Sequence, residues 1–179
     1  MISRMNWLGS VVIVASLAGS GRLARGAEPA AWRQLRFCTS LRAGYSHHFP
    51  DTESGGGASI EAAVGYRIVA GLGIELRVGF QIYGSAEVGY LLPLIAGLRY
   101  DVWLGNRFFV SPFAGIGPVA VAGSDWGGVF AEYSGGVRAS VRVLEQFAVQ
   151  LTFEHAVNML GHPSAFHTLK VMPGISLLF

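Results

Sequence analysis

The residues of this sequence best suited to acid–base or metal chemistry are its five histidines. They fall into two groups, His47 and His48 in the first third of the sequence and His155, His162 and His167 near its end. Imidazole acts as a general acid or base near neutral pH and binds Zn, Cu or Ni. Their spacing matches no known chelating motif, and alternate residues of a strand point to opposite faces. We therefore expect no metal site, and the nearest approach to one is the group His47, His155, His162 and His167.

A histidine supports ester hydrolysis only with a nucleophile and a group that orients the imidazole. Val157 stands two residues after His155, and no Glu or Asp follows Glu154 in the chain. Ser164, in the last predicted loop, is the remaining candidate nucleophile. Cys38 is the only cysteine, which excludes an internal disulfide and a CxxC motif.

The elements that carry these residues are strands, because apolar residues alternate with polar ones beyond residue 35. The third segment is the clearest: from Leu72 to Tyr83, apolar residues alternate with Gly, Glu75, Arg77 and Gln81. The pattern predicts eight strands, at residues 36–49, 59–68, 72–83, 94–104, 108–122, 129–143, 147–158 and 167–179.

The charged residues of the predicted strands give an independent test of which face meets lipid. A charge that faces lipid at mid-membrane costs about 2–4 kcal/mol. A soluble barrel would instead place its apolar face inside and its charges in water. Because every strand charge lies on the non-apolar face, the sequence predicts an all-β, eight-stranded antiparallel up-and-down transmembrane β-barrel with a paired charge network in its lumen. These charges are Arg36, Arg42, Glu61, Arg67, Glu75, Arg77, Arg99, Asp101, Glu132, Arg138, Arg142, Glu154 and Lys170.

The two ends of the chain carry export and assembly features. Residues 1–27 have the form of a cleaved secretory signal, with Arg4 before an apolar stretch and small residues near Ala27. We therefore expect a signal peptide at 1–27 and the barrel domain at 28–179. Predicted long loops alternate with short turns, which places the long loops outside the cell.

The last strand alternates and ends at Phe179. This ending resembles the C-terminal signal of bacterial outer-membrane proteins. The resemblance implies recognition by the barrel-assembly machinery, with Phe179 as part of the signal, and location in the outer membrane.

The stretch from Phe153 to Gly161, followed by Pro163 and the strand to Phe179, resembles the lipid A 3-O-deacylase (acyloxyacyl hydrolase) family. Members are eight-stranded outer-membrane barrels that hydrolyse one acyl ester of lipid A. The resemblance implies that His155 is the catalytic histidine and that Asn158 matches the family's asparagine. Val157 occupies the serine position, and the carboxylate expected near the start of the last strand is absent.

Three functional hypotheses follow. The first is a non-catalytic barrel with a structural, membrane-integrity or surface-interaction role. The second is a lipid A deacylase-like esterase that acts on lipopolysaccharide, and the third is a narrow channel or portal for hydrophobic compounds. The expected partners are outer-membrane lipid, lipopolysaccharide and the barrel-assembly machinery. We expect no cofactor, and with Lys170 as the only lysine we expect no nucleic-acid partner.

Overall fold

A computed structural model describes residues 35–49, 55–69, 71–84, 89–122, 127–159 and 166–179. Almost all of these residues are in strands. The strands are β1 Phe37–Phe49, β2 Gly55–Val69, β3 Leu72–Tyr83, β4 Tyr90–Tyr100, β5 Val102–Trp103, β6 Phe108–Ala122, β7 Gly127–Leu144, β8 Phe147–Met159 and β9 Phe166–Leu178. The described residues contain no helix that is long and apolar enough to cross a membrane.

The strands form one closed antiparallel sheet. Consecutive strands pair from β1 to β4 and from β5 to β9, β4 also pairs with β6, and β9 pairs with β1 to close the barrel. β4 and β5 both pair with β6 and form one strand of the wall, interrupted at Asp101, whose backbone N–H donates to the Gly71 carbonyl at 2.7 Å. The wall therefore has eight strands, and the predicted fold class is confirmed.

Two strands begin four residues earlier than the sequence pattern predicts. β2 starts at Gly55 rather than at residue 59, because its first three residues are glycines that have no side chains to show alternation. β4 starts at Tyr90 rather than Leu94, since the consecutive Leu91 and Leu92 hide the period of two: Leu91 is buried in the lumen and Leu92 is exposed outside.

The outer surface of the wall is apolar and the inner surface is charged. Large apolar side chains such as Leu76, 54% exposed, cover the outside, as expected for a lipid-facing wall. Eleven of the thirteen predicted lumen charges are buried. Arg142 is half-buried. Arg36 was expected in the lumen but precedes β1; it is exposed, and its Nη1 donates to the Tyr66 hydroxyl at 3.3 Å.

Apolar clusters occupy the described lumen near both ends, with the charges between them. Near the end with the short turns, Trp103 and Phe109 lie with ring centroids 4.6 Å apart, beside Cys38, Ala148 and Leu178. Near the opposite end, Tyr83 and Leu91 pack with Val119, Val121 and Phe130. A cavity of about 20 Å³ in the first region has room for about one water molecule.

Candidate functional site

The lumen network converges on Glu75 of β3. Its carboxylate accepts hydrogen bonds from both terminal nitrogens of Arg138, at 3.1 and 3.0 Å. This bidentate ion pair joins β3 to β7 across the lumen. Arg99 lies 3.4 Å away and Arg42 3.7 Å away. Such multiple pairing is what makes a charge tolerable inside a barrel, because a buried unpaired charge is strongly unfavourable.

A second part of the network centres on Glu154 of β8. Arg77 lies 2.6 Å from one carboxylate oxygen, and Lys170 lies 2.9 Å from the other. Lys170 also lies 3.6 Å from Glu132. Two further ion pairs join Arg42 with Glu61 and Arg67 with Asp101. The structure thus places in the lumen all ten charges that were singled out as a network: Arg42, Glu61, Arg67, Glu75, Arg77, Arg99, Asp101, Glu132, Arg138 and Glu154.

An aromatic ring stands among these charges. Phe113 of β6 faces the lumen, with the guanidinium carbons of Arg77 and Arg138 4.9 and 5.5 Å from its ring centroid. Gly136 pairs with Phe113 across β6 and β7, and a Cβ at Gly136 would lie 3.0 Å from the ring. Phe113 was not predicted from the sequence. An aromatic residue packed over a cross-strand glycine is a known device of β-sheets, but it can be recognised only once the register of β6 and β7 is known.

On the outer wall, His155 and His167 form a pair. A hairpin centred near His162 predicts that His155 of β8 lies opposite Leu169 of β9 with His167 as its diagonal neighbour, and the register of the two strands confirms this. His155 Nε2 and His167 Nδ1 are 3.1 Å apart, and the two rings are nearly parallel with centroids 5.2 Å apart. The group beside His155 is therefore a second imidazole.

The other residues matched to the deacylase family do not form a catalytic triad with this pair. Val157 shares the outer face with His155 but is only 5% exposed, with Tyr133 and His167 as its cross-strand neighbours. Asn158 is fully buried in the lumen opposite Glu132, so the wall separates it from His155. Ser164 and His162 lie outside the described residues.

The two histidines of β1 face opposite sides of the wall. His47 is on the outside, where its Nδ1 is hydrogen-bonded to the Tyr45 hydroxyl at 3.0 Å. His48 faces the lumen, and its Nδ1 lies 3.5 Å from the Thr168 hydroxyl. Within the described ranges, no three His, Cys, Asp or Glu side chains are grouped so as to hold a metal ion.

Phe179 lies at the seam of the barrel. Its backbone N–H donates to the Phe37 carbonyl at 2.8 Å, and its carbonyl accepts from the Phe37 and Arg36 N–H groups at 3.1 and 2.9 Å. Its ring is exposed on the outside. The terminal residue therefore extends the β9–β1 pairing that closes the wall.

A shallow apolar depression of about 580 Å³ lies on the outer wall where β6, β7 and β8 meet. It lies towards the ends of these strands that lead to the longer loops: Met159 is the last residue of β8, and Val129 is the third of β7. Its lining is Ile116, Gly117, Pro118, Val129, Phe130, Ala131 and Met159.

No protein-family profile matches this chain, and no curated protein matches it in sequence. Among solved structures, Neisserial surface protein A (NspA) is similar over 80% of this chain and 97% of its own, with 15% identity and a TM-score of 0.65. The fold is that of the small outer-membrane barrels.

Two further solved structures agree with this assignment. OprG, an outer membrane protein of Pseudomonas aeruginosa, is similar over 81% of this chain and 97% of its own, with 12% identity and a TM-score of 0.51. Ail, the attachment invasion locus protein of Yersinia pestis, was solved with the heparin analogue sucrose octasulfate. It is similar over 81% of this chain and 100% of its own chain, with 12% identity and a TM-score of 0.51. At these identities the likeness concerns the fold.

Proposed function

We propose that this protein is a non-catalytic integral barrel of the bacterial outer membrane, with a structural, membrane-integrity or surface-interaction role. Residues 1–27 are its cleaved signal, and the barrel-assembly machinery inserts it through the strand that ends at Phe179. Its partners are the surrounding lipid and lipopolysaccharide.

The observation that carries this proposal is the filled lumen. The Trp103 and Phe109 rings occupy one end, the Glu75 and Glu154 ion pairs occupy the middle, and the cluster around Leu91 occupies the other end. A conducting path needs a continuous wet lumen, and closely paired charges between apolar clusters oppose one. The filled lumen therefore favours a role at the outer wall and surface over the channel hypothesis.

The second candidate is a lipid A deacylase-like esterase. The observation that favours it is the His155–His167 contact at 3.1 Å on the lipid-facing side, where a bound lipid could reach an imidazole. Against it stands Val157, which provides no nucleophile in the position next to His155 on the same face.

Two measurements decide between these functions. Purified barrel is reconstituted into planar bilayers beside an open porin as positive control, and we expect no stable conductance steps. Lipid A from cells with and without the protein is compared by mass spectrometry, and we expect identical acylation. Stable conductance would establish the channel function, and loss of one ester-linked acyl chain would establish the esterase function.

A further inference from the structure

The small cavity in the lumen, near the end with the short turns, has a mainly polar lining. Its volume is about 20 Å³. Cys38, Phe109 and Leu178 separate it from the apolar end of the lumen, and its other lining residues are polar or charged. Cavities that stand empty in proteins are apolar, whereas a polar cavity large enough for one small particle holds one. The composition of the lining therefore indicates an occupied cavity.

Four side chains of the lining have a buried donor atom without a hydrogen-bond partner among the described residues. These atoms are the Nε of Arg99, the Nε of Arg138, the Ser140 hydroxyl and the Gln150 Nε2. Glu75 engages only terminal nitrogens of the two arginines. Ser140 of β7 lies directly opposite Gln150 of β8, so that these two donors are neighbours on the lumen face.

Bulk water cannot supply the missing acceptor, because all four side chains are more than nine-tenths buried. A buried donor that stays unsatisfied loses its hydrogen bond to water without compensation. Three of the four atoms, in Arg99, Arg138 and Gln150, are nitrogens that only donate, and the Ser140 hydroxyl can do so as well. The occupant that satisfies them is therefore an acceptor of several hydrogen bonds.

The charges of the lining favour an anion over a water molecule. Among the described residues that line the cavity, Arg99 and Arg138 carry positive charges and Asp101 carries a negative one. The Asp101 carboxylate is directed to other groups: it accepts a hydrogen bond from the Ser111 hydroxyl at 2.7 Å and lies 3.6 Å from Arg67. A water molecule must also donate its own two hydrogens, whereas an anion only accepts. Attraction to the guanidinium groups is strong in such a poorly hydrated interior.

We propose that this cavity binds one monovalent inorganic anion, chloride, inside the barrel. The anion accepts hydrogen bonds from the Nε atoms of Arg99 and Arg138, the Ser140 hydroxyl and the Gln150 amide. It links β4, β7 and β8 through one centre, beneath the apolar cluster that contains Trp103. This ligand goes beyond the proposed non-catalytic role, which does not depend on it.

Diffraction from crystals of the unmodified barrel grown in sodium bromide tests the site directly. Bromide replaces chloride and is identified by its anomalous scattering. We expect one anomalous peak in the cavity, within hydrogen-bond distance of the Arg138 Nε and the Gln150 Nε2. Electron density in the cavity without an anomalous signal would identify a water molecule and overturn the proposal. Bromide found only on the outer surface would overturn it as well.

Urea unfolding in detergent measures the same binding in solution, with sodium chloride compared with sodium gluconate at equal ionic strength. An anion that binds only the folded barrel should lower the unfolding equilibrium constant roughly tenfold for a tenfold rise in chloride once the site is filled. Gluconate is too large for the cavity and should have no such effect. Equal unfolding constants in the two salts would contradict a chloride site.

Gln150→Met tests one donor, because it keeps a side chain of similar length but removes the amide. We expect chloride to bind roughly tenfold more weakly or worse. Gln81→Met is the matched control: Gln81 is also a buried lumen glutamine, but it lies near the opposite end, where it bonds to Tyr83, and its replacement should leave the chloride dependence unchanged. Each variant is first shown to fold by its shift in gel mobility on boiling. Equal chloride dependence in both variants would overturn the assignment of Gln150 as a ligand.

Discussion

Four lumen arginines, Arg42, Arg77, Arg99 and Arg138, lie 3.0 to 3.8 Å from the Glu75 carboxylate, and removal of its charge takes from Arg138 its bidentate partner. Breaking a buried ion pair by removing one partner costs about 3–5 kcal/mol. We therefore predict that Glu75→Gln lowers the free energy of unfolding in urea by about this amount. Glu145→Gln, at an exposed residue of the turn between β7 and β8, is the control and should have little effect. Equal stabilities would show that Glu75 is not the centre of the network.

Val157→Ser tests the outer wall at the residue scale. The substitution restores a hydroxyl two residues from His155, yet we predict no measurable release of fatty acid from lipid A. Residue 157 is 5% exposed, and the group hydrogen-bonded to His155 is an imidazole rather than a carboxylate. In serine proteases the orienting carboxylate accounts for about four orders of magnitude in rate. Hydrolysis by Val157→Ser that His155→Ala abolishes would refute this reading.

The alternation of residues along a strand predicts which side of the wall a charged side chain occupies. It does not predict which opposite charge that side chain pairs with. Arg77 and Glu154 are far apart in sequence and meet across the lumen at 2.6 Å, because a narrow barrel brings distant strands together. Arg36 shows where the alternation fails: it precedes the first residue of β1, and its long side chain reaches the Tyr66 hydroxyl rather than the lumen.

At the scale of the strand, Leu76→Arg tests which face of β3 meets lipid. Leu76 is an exposed residue in the middle of β3, and an arginine at that depth should cost about 2–4 kcal/mol of stability in lipid. The control is a one-residue insertion at Gly105, in the turn between β5 and β6, where no other atom lies within 4 Å of a Cβ. Urea unfolding in lipid vesicles measures both changes, and equal losses would contradict the orientation.

Deletion of Phe179 tests the strand that closes the barrel. The deletion removes three backbone hydrogen bonds to Arg36 and Phe37 together with an exposed aromatic ring at the membrane boundary. We predict a lower yield of membrane-inserted barrel, measured by the heat-dependent gel shift of membrane fractions. Phe179→Trp keeps both features and should insert normally. Normal insertion after the deletion would show that the terminal aromatic is dispensable.

Alternation predicted the existence and order of the strands well, but their ends less well. Glycines have no side chain to alternate, so the start of β2 at Gly55 was hidden, and Asp101 interrupts a segment that reads as one strand. The register of the β8–β9 hairpin was predictable because it depends only on the position of its centre.

For the whole molecule, the sequence predicts that the sheet closes into a barrel and that its apolar face is outside and its charged face inside. It does not predict the shape of the outer wall. Eight alternating segments with inward charges admit few architectures. The depression requires side chains from three strands to leave space between them, among them Ile116, Ala131 and Met159. No pattern within one strand reports that space, which depends on the stagger of all three.

The lipid-facing apolar wall is tested most directly by methyl NMR of the unmodified protein in micelles that contain a spin-labelled fatty acid. We predict strong signal broadening for the exposed methyl groups of Ile74, Leu76 and Val78. The buried methyl groups of Ile95 and Val119 should remain sharp, since they lie in the lumen. Broadening of Ile95 and Val119 with Ile74, Leu76 and Val78 unaffected would contradict the inside-out arrangement on which the proposed function rests.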